Sequence, residues 1–562
     1  MDTAIKPMYE WETINWAKVQ RSVFKLQKRI YQASERGDVK AVRKLQRLLT
    51  NSWYAKVLAV RKVTQDHKGK NTPGTDGIKR LRNPQKIRLA QELHFNDKSD
   101  PTKRVWIPKP GQEEKRPLGI PTMTDRAKQA LMKLAIEPEW EAKFEPNSYG
   151  FRPGRSAHDA ISAIYNGIVQ KPKYVLDADI EKCFDQINHE KLLEKLNTSP
   201  TFRRQIKAWL KAGVMEGEQL FPTPAGTSQG GVISPLLANI ALHGMEKALE
   251  GKFKRRVGKT QQKRDISFVR YADDFVIMDE DLDVILEAKS VIKEWLKEMG
   301  LTLKESKTRI THTFEKYEGT VGFDFLGFNI RQYPVSDKQS GSVGGTEMKR
   351  GHKTLIKPSK EAIQKHLDKI DDLLRRNRHS SQEQVINALN PVIRGWAAYY
   401  STVASANTFN KIDSIIFSKL RGWARGRSGR GQNQTETVSK YWGVNRGLGW
   451  IFITPDNKYV LEKHQNMKIC RPIKVKDTKS PFHGDWIYWG QRLSQHPMLR
   501  NMASKLLKKQ EGKCNHCNLR FISIDLLEIH HIDYCRANNK INNLELLHTH
   551  CHDIRHANKE VL

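Results

Sequence analysis

Two aspartates, Asp273 and Asp274, sit in the middle of an apolar stretch, FVRYADDFVIMDE (268–280). Phe268, Val269, Tyr271, Phe275, Val276 and Ile277 around them read as a buried strand or hairpin. Burying even one unpaired carboxylate is costly. A second acidic strand precedes this one, in YVLDADIEKCFDQINH (174–189), where Asp177 and Asp179 alternate with apolar residues and so share one face. Two strands that deliver carboxylates to one spot can share divalent cations. A pair of Mg²⁺ ions about 3.5–4 Å apart would bring one oxygen to attack and stabilise another as it leaves. Mg²⁺ favours one or two carboxylates plus substrate phosphates over a closed protein cage. The ions would keep the carboxylates charged; an exposed hairpin tip, solvated by water, would do so too.

A different chemistry is spelled out at the far end of the chain. Cys514-x-x-Cys517 and His548-x-x-Cys551 make two ligand pairs separated by thirty residues, a spacing suited to tetrahedral structural Zn²⁺. Cys535 is left over. His552 and His556 are four apart, on one face of a helix, and His530 and His531 stand between Ile529 and Ile532 as on a strand. Taken alone, the two ligand pairs fit a zinc ribbon without catalysis equally well. Four of the six cysteines fall in the last fifty residues, which points to metal rather than disulfides.

The elements that must position these groups can be read in outline. Trp16, Val19, Val23, Leu26 and Ile30 form one helical stripe, and Gly37-Asp38 opens a second helix. NTPGTDGI (71–78) is a turn-rich loop. Short strands and helices alternate from about 103 to 330, with a helix over 286–300 closed by Gly300 and a strand at FDFLGFNI (323–330). SGSVGG (340–345) reads as a flexible break and GRSGRGQNQTET (426–437) as a linker, with helices over 355–425 between them.

The chain has 562 residues, room for three or four domains at roughly 150 each. Lys plus Arg is 97 against 62 Asp plus Glu, a net charge of +35, and the pI is near 9.8. That balance fits a polyphosphate partner, nucleic acid before an anionic membrane. Residues 341–430 alone hold 17 Lys or Arg against 7 Asp or Glu. No apolar run approaches the ~18–20 residues that span a bilayer, and the N-terminus has no apolar signal core. These features predict a soluble intracellular protein with no membrane partner.

The order of the blocks resembles the reverse transcriptases encoded by group II introns. YADD (271–274) follows DIEKCFD (179–185), with GTSQGGVISPLLANI (226–240) between them. WIPKPGQEEKRPLGIPTMTDR (106–126) and SYGFRPGRSAHDAI (148–161) come before, and GLTLKESKTRI (300–310) and GFDFLGF (322–328) after. The resemblance implies that Asp179, Asp273 and Asp274 hold Mg²⁺. Lys109 and Arg116 would lie over an incoming dNTP, Gln229 beside it among small residues, and Lys307, on the strand after the helix, near the primer end. Phe184 would abut the sugar and exclude a 2′-hydroxyl. INALNPVIRGWAAYY (386–400) resembles the group II maturase domain. Arg394, Trp396, Tyr399 and Tyr400, with Arg421 and Arg425 in RGWARGR (421–427), would grip phosphates and stack on unpaired bases.

The tail resembles the HNH nucleases of the ββα-metal class, in their group II intron version. That likeness makes His530, His552 and His556 ligands of a catalytic ion, His531 the general base and Asn543 the residue that orients the loop carrying it. Cys514, Cys517, His548 and Cys551 would hold Zn²⁺. The loop CRANNKINN (535–543) stands where family members often carry Gly-Gly, and His548 stands where cysteine is more general.

The expected fold is therefore α+β and multidomain: a right-hand polymerase with a ferredoxin-like palm and helical fingers and thumb, plus a small zinc-bearing ββα-metal module. The expected divisions are an N-terminal helical extension (1–80), reverse transcriptase fingers and palm (81–335), maturase or thumb (350–430), a DNA-binding region placed only by position (431–505) and the HNH module (506–562). The expected function is to copy RNA into DNA, assist splicing of the parent intron RNA, and nick double-stranded target DNA to prime the copy. The compartment would be the bacterial cytoplasm or an organelle, with a homodimer left open. A splicing-only maturase would show degenerate metal aspartates, and all three are present. A retroelement or defence-associated reverse transcriptase is disfavoured by the thumb and tail, and a viral RNA-copying polymerase by Phe184.

Overall fold

A computed structural model describes residues 10–557 apart from 68, 109–114, 258–259, 264–265, 343–346, 428–432, 446–448, 497–498, 500, 522–526, 536–537 and 539. Trp16–Glu35, Val39–Asn51 and Trp53–Arg61 are helices, the first two capped by Asn15 and Asp38 side chains. They pack with the helix Met123–Glu141 into the largest core.

The acidic strands belong to one four-stranded antiparallel sheet. Its order is Arg309–His312, Tyr174–Asp179, Asp274–Asp279, Ser267–Tyr271. In chain order this is strand, helices, hairpin, the helix Leu282–Glu298, strand, so the last strand lies beside the first. Both faces are covered. Leu176, Ala178, Phe268, Phe275 and Ile277 join the N-terminal core, while Val175, Val269, Val276 and Met278 join a second core with helix Ala157–Ile168. That is why these strands read as near-continuous apolar runs. A second sheet pairs Lys115–Ile120 with Thr102–Pro108 and then Val214–Glu216 and Gln219–Phe221.

The stretch expected as one strand, 323–330, is instead a hairpin. Phe323–Phe325 turns at Leu326 and Gly327, both at positive φ (50° and 81°), into Phe328–Pro334. A left-handed leucine costs about 1–2 kcal/mol. Tertiary contacts offset it: the hydroxyls of Tyr399 and Tyr400 donate to the carbonyls of Leu326 and Gly327, both at 3.2 Å.

Lys360–Arg376, Gln382–Tyr400 and Ala406–Arg425 are the helices of the basic region. The expected linker 426–437 ends inside another helix, Gln434–Tyr441, and part of it lies outside the described residues. Trp442, Phe452 and Leu461 share one core with Ile370, Leu389, Ile416 and Leu420. Packing therefore does not break at 430. The expected break at 340–345 also lies partly outside the described residues; Ser342 bridges to Lys349.

Residues 467–494 run along the polymerase-like region. Val475 and Trp489 are buried in its second core. Asp159 accepts from the Val475 N–H at 2.8 Å and from Arg492 Nη2 at 2.6 and 2.5 Å, with the two side chains 2% and 11% exposed. The tail follows as an antiparallel pair, Leu527–His531 with Leu544–His548, and the helix Thr549–Ala557. Ile554 of that helix packs against the N-terminal core. Among the described residues no helix is long and apolar enough to cross a membrane.

Removing Arg492 would leave Asp159 buried and short of its partner. Arg492→Ala is expected to cost about 3–5 kcal/mol, read as a lower midpoint of thermal unfolding, with Arg492→Lys recovering only part because the other guanidinium nitrogens' bonds to the Ile473 and Gly154 carbonyls are lost. An unchanged midpoint in the alanine variant would contradict this reading of the 467–494 segment.

Candidate functional site

The sheet register sets Asp179 directly opposite Asp274. Tyr271 also faces Asp274, across a two-residue turn, Ala272 and Asp273. Three carboxylates, Asp179, Asp273 and Asp274, thus meet at one sheet end, with Asp177 two residues back along its strand. Ala272 takes a positive φ of 59°, a first turn position where glycine is the usual choice.

The turn is held from beneath by residues that sequence reasoning passed over. Arg270, fully buried, donates from Nη1 to Asn239 Oδ1 at 3.1 Å and to the Ala272 carbonyl at 3.0 Å, and from Nη2 to Ser148 Oγ at 2.8 Å. Asn239 Nδ2 in turn donates to the Gly150 carbonyl at 2.8 Å. A Cβ on Gly150 would stand 2.4 Å from the Ala272 nitrogen. The SYGF segment can reach the turn only because residue 150 has no side chain. The signal was visible: an arginine inside an apolar strand must find several acceptors. Burial pulls Arg270 down to about 10, so it stays charged at neutral pH.

Burial, then repulsion from Asp273 and Asp179, pushes Asp274 up to about 7. Burial also raises Asp273, and takes Asp177 to about 7 against the pull of Arg309. Lys307 Nζ donates to Asp179 Oδ2 at 2.7 Å. Burial alone would lower Lys307, but this bond carries it above the ordinary lysine range. Lys307 lies in a 3₁₀ turn, Glu305–Lys307, just before the strand on which it was expected. One lysine does not neutralise three desolvated carboxylates. The donor set fits divalent cations with phosphate oxygens completing the shell.

Other predicted residues approach this end through a chain of backbone contacts. Arg116 is exposed on Lys115–Ile120, and its charge reaches Asp273. The Gly119 N–H on that strand donates to the Gln229 carbonyl at 2.9 Å, and Ser228 Oγ donates to the Gly119 carbonyl at 2.9 Å. A Cβ on Gly230 would lie 2.8 Å from the same carbonyl. The loop continues to Thr227, whose N–H donates to the Phe184 carbonyl. Phe184 is half-buried, its ring 6.2 Å from that of Phe151 in an edge contact. Lys109 lies outside the described residues.

The aromatics expected to stack on bases pack against the core, Tyr400 buried and Trp396 and Tyr399 half-buried. Trp396 stacks on His366 with centroids 4.6 Å apart, Tyr400 is 5% exposed, and Tyr399 lies 5.2 Å from Phe328. Arg394 is held bidentately by Glu462. Arg421 is half-buried, its guanidinium 5.9 Å from the Phe417 ring, and Arg425 is exposed at the helix end. An amphipathic helix with aromatics gives the same sequence pattern whether they face a core or a base.

In the tail, one donor atom from each of Cys514, Cys517, His548 and Cys551 lies within 4.8 Å of the others, and so do those of His530, His552 and His556. The Cys517 sulfur is 3.3 Å from His548 Nδ1. A tetrahedral ion with sulfur ligands at about 2.3 Å would set donors roughly 3.8 Å apart, so little movement is needed. His531 is half-buried beside, not within, the three-histidine group. Asn543 clamps the following turn: its Nδ2 donates to Asp533 Oδ1 at 2.7 Å, and its Oδ1 and carbonyl accept from the N–H groups of Asp533 (3.1 Å) and Ile532 (2.8 Å). Cys535 is exposed.

Residues 107–330 match the reverse transcriptase (RNA-dependent DNA polymerase) family, 11–93 the N-terminal domain of reverse transcriptase, and 363–442 the group II intron maturase-specific domain. The chain belongs to the group II intron reverse transcriptases and maturases. It is similar to group II intron-encoded protein LtrA of Lactococcus lactis subsp. cremoris (27% identity over 79% of this chain and 81% of the relative). It is also similar to protein YkfC of Escherichia coli strain K12 (32% over 51% and 83%) and to maturase-like protein 1 of Euglena gracilis (26% over 82% and 90%). Reverse transcriptases generally use Mg²⁺, which the carboxylate cluster suits, and the maturase domain implies intron RNA as a partner.

Two outcomes follow for this reverse transcriptase. Gly150→Ala should displace the Ala272 turn and lower primer extension by about 10²-fold or more, with circular dichroism unchanged; near-normal extension would contradict the close approach. Glu246 supports the same region, accepting from Asn147 Nδ2 at 2.7 Å. Burial pushes it up to about 7. A carboxyl raised on folding holds its proton longer in the native state, so this group costs stability progressively as pH rises from the unfolded value near 4.5 to about 7. Glu246→Gln should therefore raise the melting midpoint at pH 8 and leave it unchanged at pH 4. A shift that does not depend on pH would refute the assignment.

Proposed function

We propose that this chain is a multifunctional intron-encoded protein that copies RNA into DNA, assists splicing of its intron RNA, and nicks double-stranded DNA to prime the copy. The meeting of Asp179 and Asp274 across one sheet register, with Asp273 on the adjoining turn, carries the polymerase part. The sheet is read as the palm, the second sheet with the N-terminal helices as fingers, and the 360–425 helices as thumb.

When bound, paired Mg²⁺ ions supply charge neutralisation at the attacking and leaving oxygens. The chain's own residues do the rest. Asp179, Asp273 and Asp274 fix the place of the reaction; Lys307, beside Asp179, holds a cation near the primer terminus; Arg116, and Lys109 by resemblance, orient the triphosphate of the dNTP. Phe184 borders the sugar and rejects a 2′-hydroxyl. Gln229, in a loop fixed to Gly119, lines the nucleotide position.

The nuclease part rests on the three-histidine group lying beside a separate Cys₃His set, with Asn543 clamping the intervening turn. Cys514, Cys517, His548 and Cys551 would hold structural Zn²⁺, and His530, His552 and His556 the ion that binds the scissile phosphate. His531 would take the proton from water, a role suited to imidazole near neutral pH. A zinc-held binding module remains the second reading of this tail.

One pair of assays on one preparation separates the parts. Asp273→Asn should abolish primer extension on an RNA template yet still bind intron RNA; extension at the wild-type rate would sink the polymerase assignment. His531→Ala should lower nicking of double-stranded target DNA by about 10²–10⁴-fold while extension persists. Normal nicking by that variant would leave the tail as a binding module.

A further inference from the structure

The basic helical region contains a cavity that the roles above do not use. It lies between the outer face of helix Ala406–Arg425 and the hairpin Trp442–Asn445/Gly449–Phe452 with the segment that follows, and its volume is about 440 Å³. Ligand pockets run from about 300 to 1,000 Å³. Aromatic rings wall it. Trp450 is 47% exposed, Phe417 is half-buried, and Trp442 lies 5.5 Å from Phe417 in an edge contact. Asn410 and Ser414 stand on the helix side, and Lys463 on the other, its Nζ donating to the Trp450 carbonyl at 3.2 Å.

Two carboxylates also line the cavity, and both are hydrogen-bonded from the protein side. Asp413 accepts from the N–H groups of His464 and Gln465, each at 3.0 Å, and contacts His464 Nδ1 at 2.6 Å. Glu462 is paired with Arg394. The described residues of the elements around the cavity, 406–425, 440–445 and 449–468, carry eight Lys or Arg against three Asp or Glu.

We propose that this cavity takes one unstacked nucleobase of bound single-stranded RNA, stacked on Trp450, with a flanking phosphate at Lys463. The proposal rests on the maturase reading and gives it a site. Of the expected stacking residues, Tyr400 is buried and Trp396 and Tyr399 are half-buried against the core, whereas Trp450 is 47% exposed. Trp450 offers an open aromatic face, Asn410 an amide that can donate to and accept from a base edge, and the net positive surround attracts a phosphate backbone without requiring sequence. A paired duplex keeps its bases stacked inside and cannot fill the cavity. Arg394 thereby acquires a positioning role: paired with Glu462, it offsets that carboxylate's charge beside the incoming phosphate.

The test is fluorescence anisotropy with full-length protein and a labelled, unstructured RNA about twelve nucleotides long. Trp450→Ala should weaken binding about tenfold, the size of one lost base stack, and Trp450→Phe should recover most of it. An RNA duplex of the same length should bind the alanine variant within about twofold of wild type. In the wild type, the same oligonucleotide carrying 4-thiouridine should crosslink to the peptide that contains Trp450, a readout needing no variant. Undiminished single-strand binding by Trp450→Ala overturns the pocket, as does an equal loss on the duplex, a crosslink mapping elsewhere, or a loss confined to single-stranded DNA. Wild-type protein that fails to bind RNA at all overturns the maturase reading with it.

Discussion

Asp179 and Asp274 face each other across a backbone pairing, with Asp273 at the neighbouring turn. Left to themselves these carboxylates would separate. The strands cannot part, because both faces of their sheet are buried and each end of the register is fixed. Beneath the turn lies Arg270, buried and charged, bonded to Asn239, Ser148 and the Ala272 carbonyl. It braces the turn. The SYGF segment, the helix bearing Asn239 and the hairpin all meet on this one guanidinium, so three separate sequence blocks are brought to a common point.

The residues proposed to face the nucleotide inherit their places from that frame. Phe184 lies just beyond Asp179, and the loop with Gln229 is tied to the Phe184 carbonyl on one side and to Gly119 on the other. Gly119 belongs to the strand that carries Arg116. The strand proposed to bind the triphosphate is thus linked to the aspartates proposed to hold the metals by a short series of backbone hydrogen bonds rather than by one rigid element.

Much of the site was legible in the sequence, because its signals are local or combinatorial. Acidic residues in apolar strands have few explanations, and two Cys/His sets at metal spacing have fewer; the structure brings the donor atoms of each Cys/His set together and sets Asp179 opposite Asp274 in one register. The supporting residues were harder. Gly150 and Arg270 act through contacts distant in the chain, and only the misplaced charge of Arg270 could have given them away. The aromatic pattern of 386–400 was ambiguous in principle, since helical periodicity does not say which face is the core. Trp396, Tyr399 and Tyr400 proved to be packing residues, two of which pin the left-handed turn at Leu326 and Gly327. That turn, in a run that reads as a plain strand, has no local signal beyond Gly327. The 431–505 region was opaque because its order comes from docking: Trp442 and Phe452 against the 360–425 helices, Val475 and Trp489 against the sheet's outer core.

The central claim is that this frame forces carboxylates together and that a divalent cation relieves the strain. A ¹³C NMR titration of protein labelled at aspartate Cγ, with and without Mg²⁺, tests it most directly. The account predicts two aspartate signals titrating near 7 in metal-free protein, in keeping with Asp274 and Asp177 each pushed up to about 7, one of them absent from Asp274→Asn and shifted to well below 7 once Mg²⁺ is added. Aspartates that all titrate near 4, with no response to Mg²⁺, would contradict it.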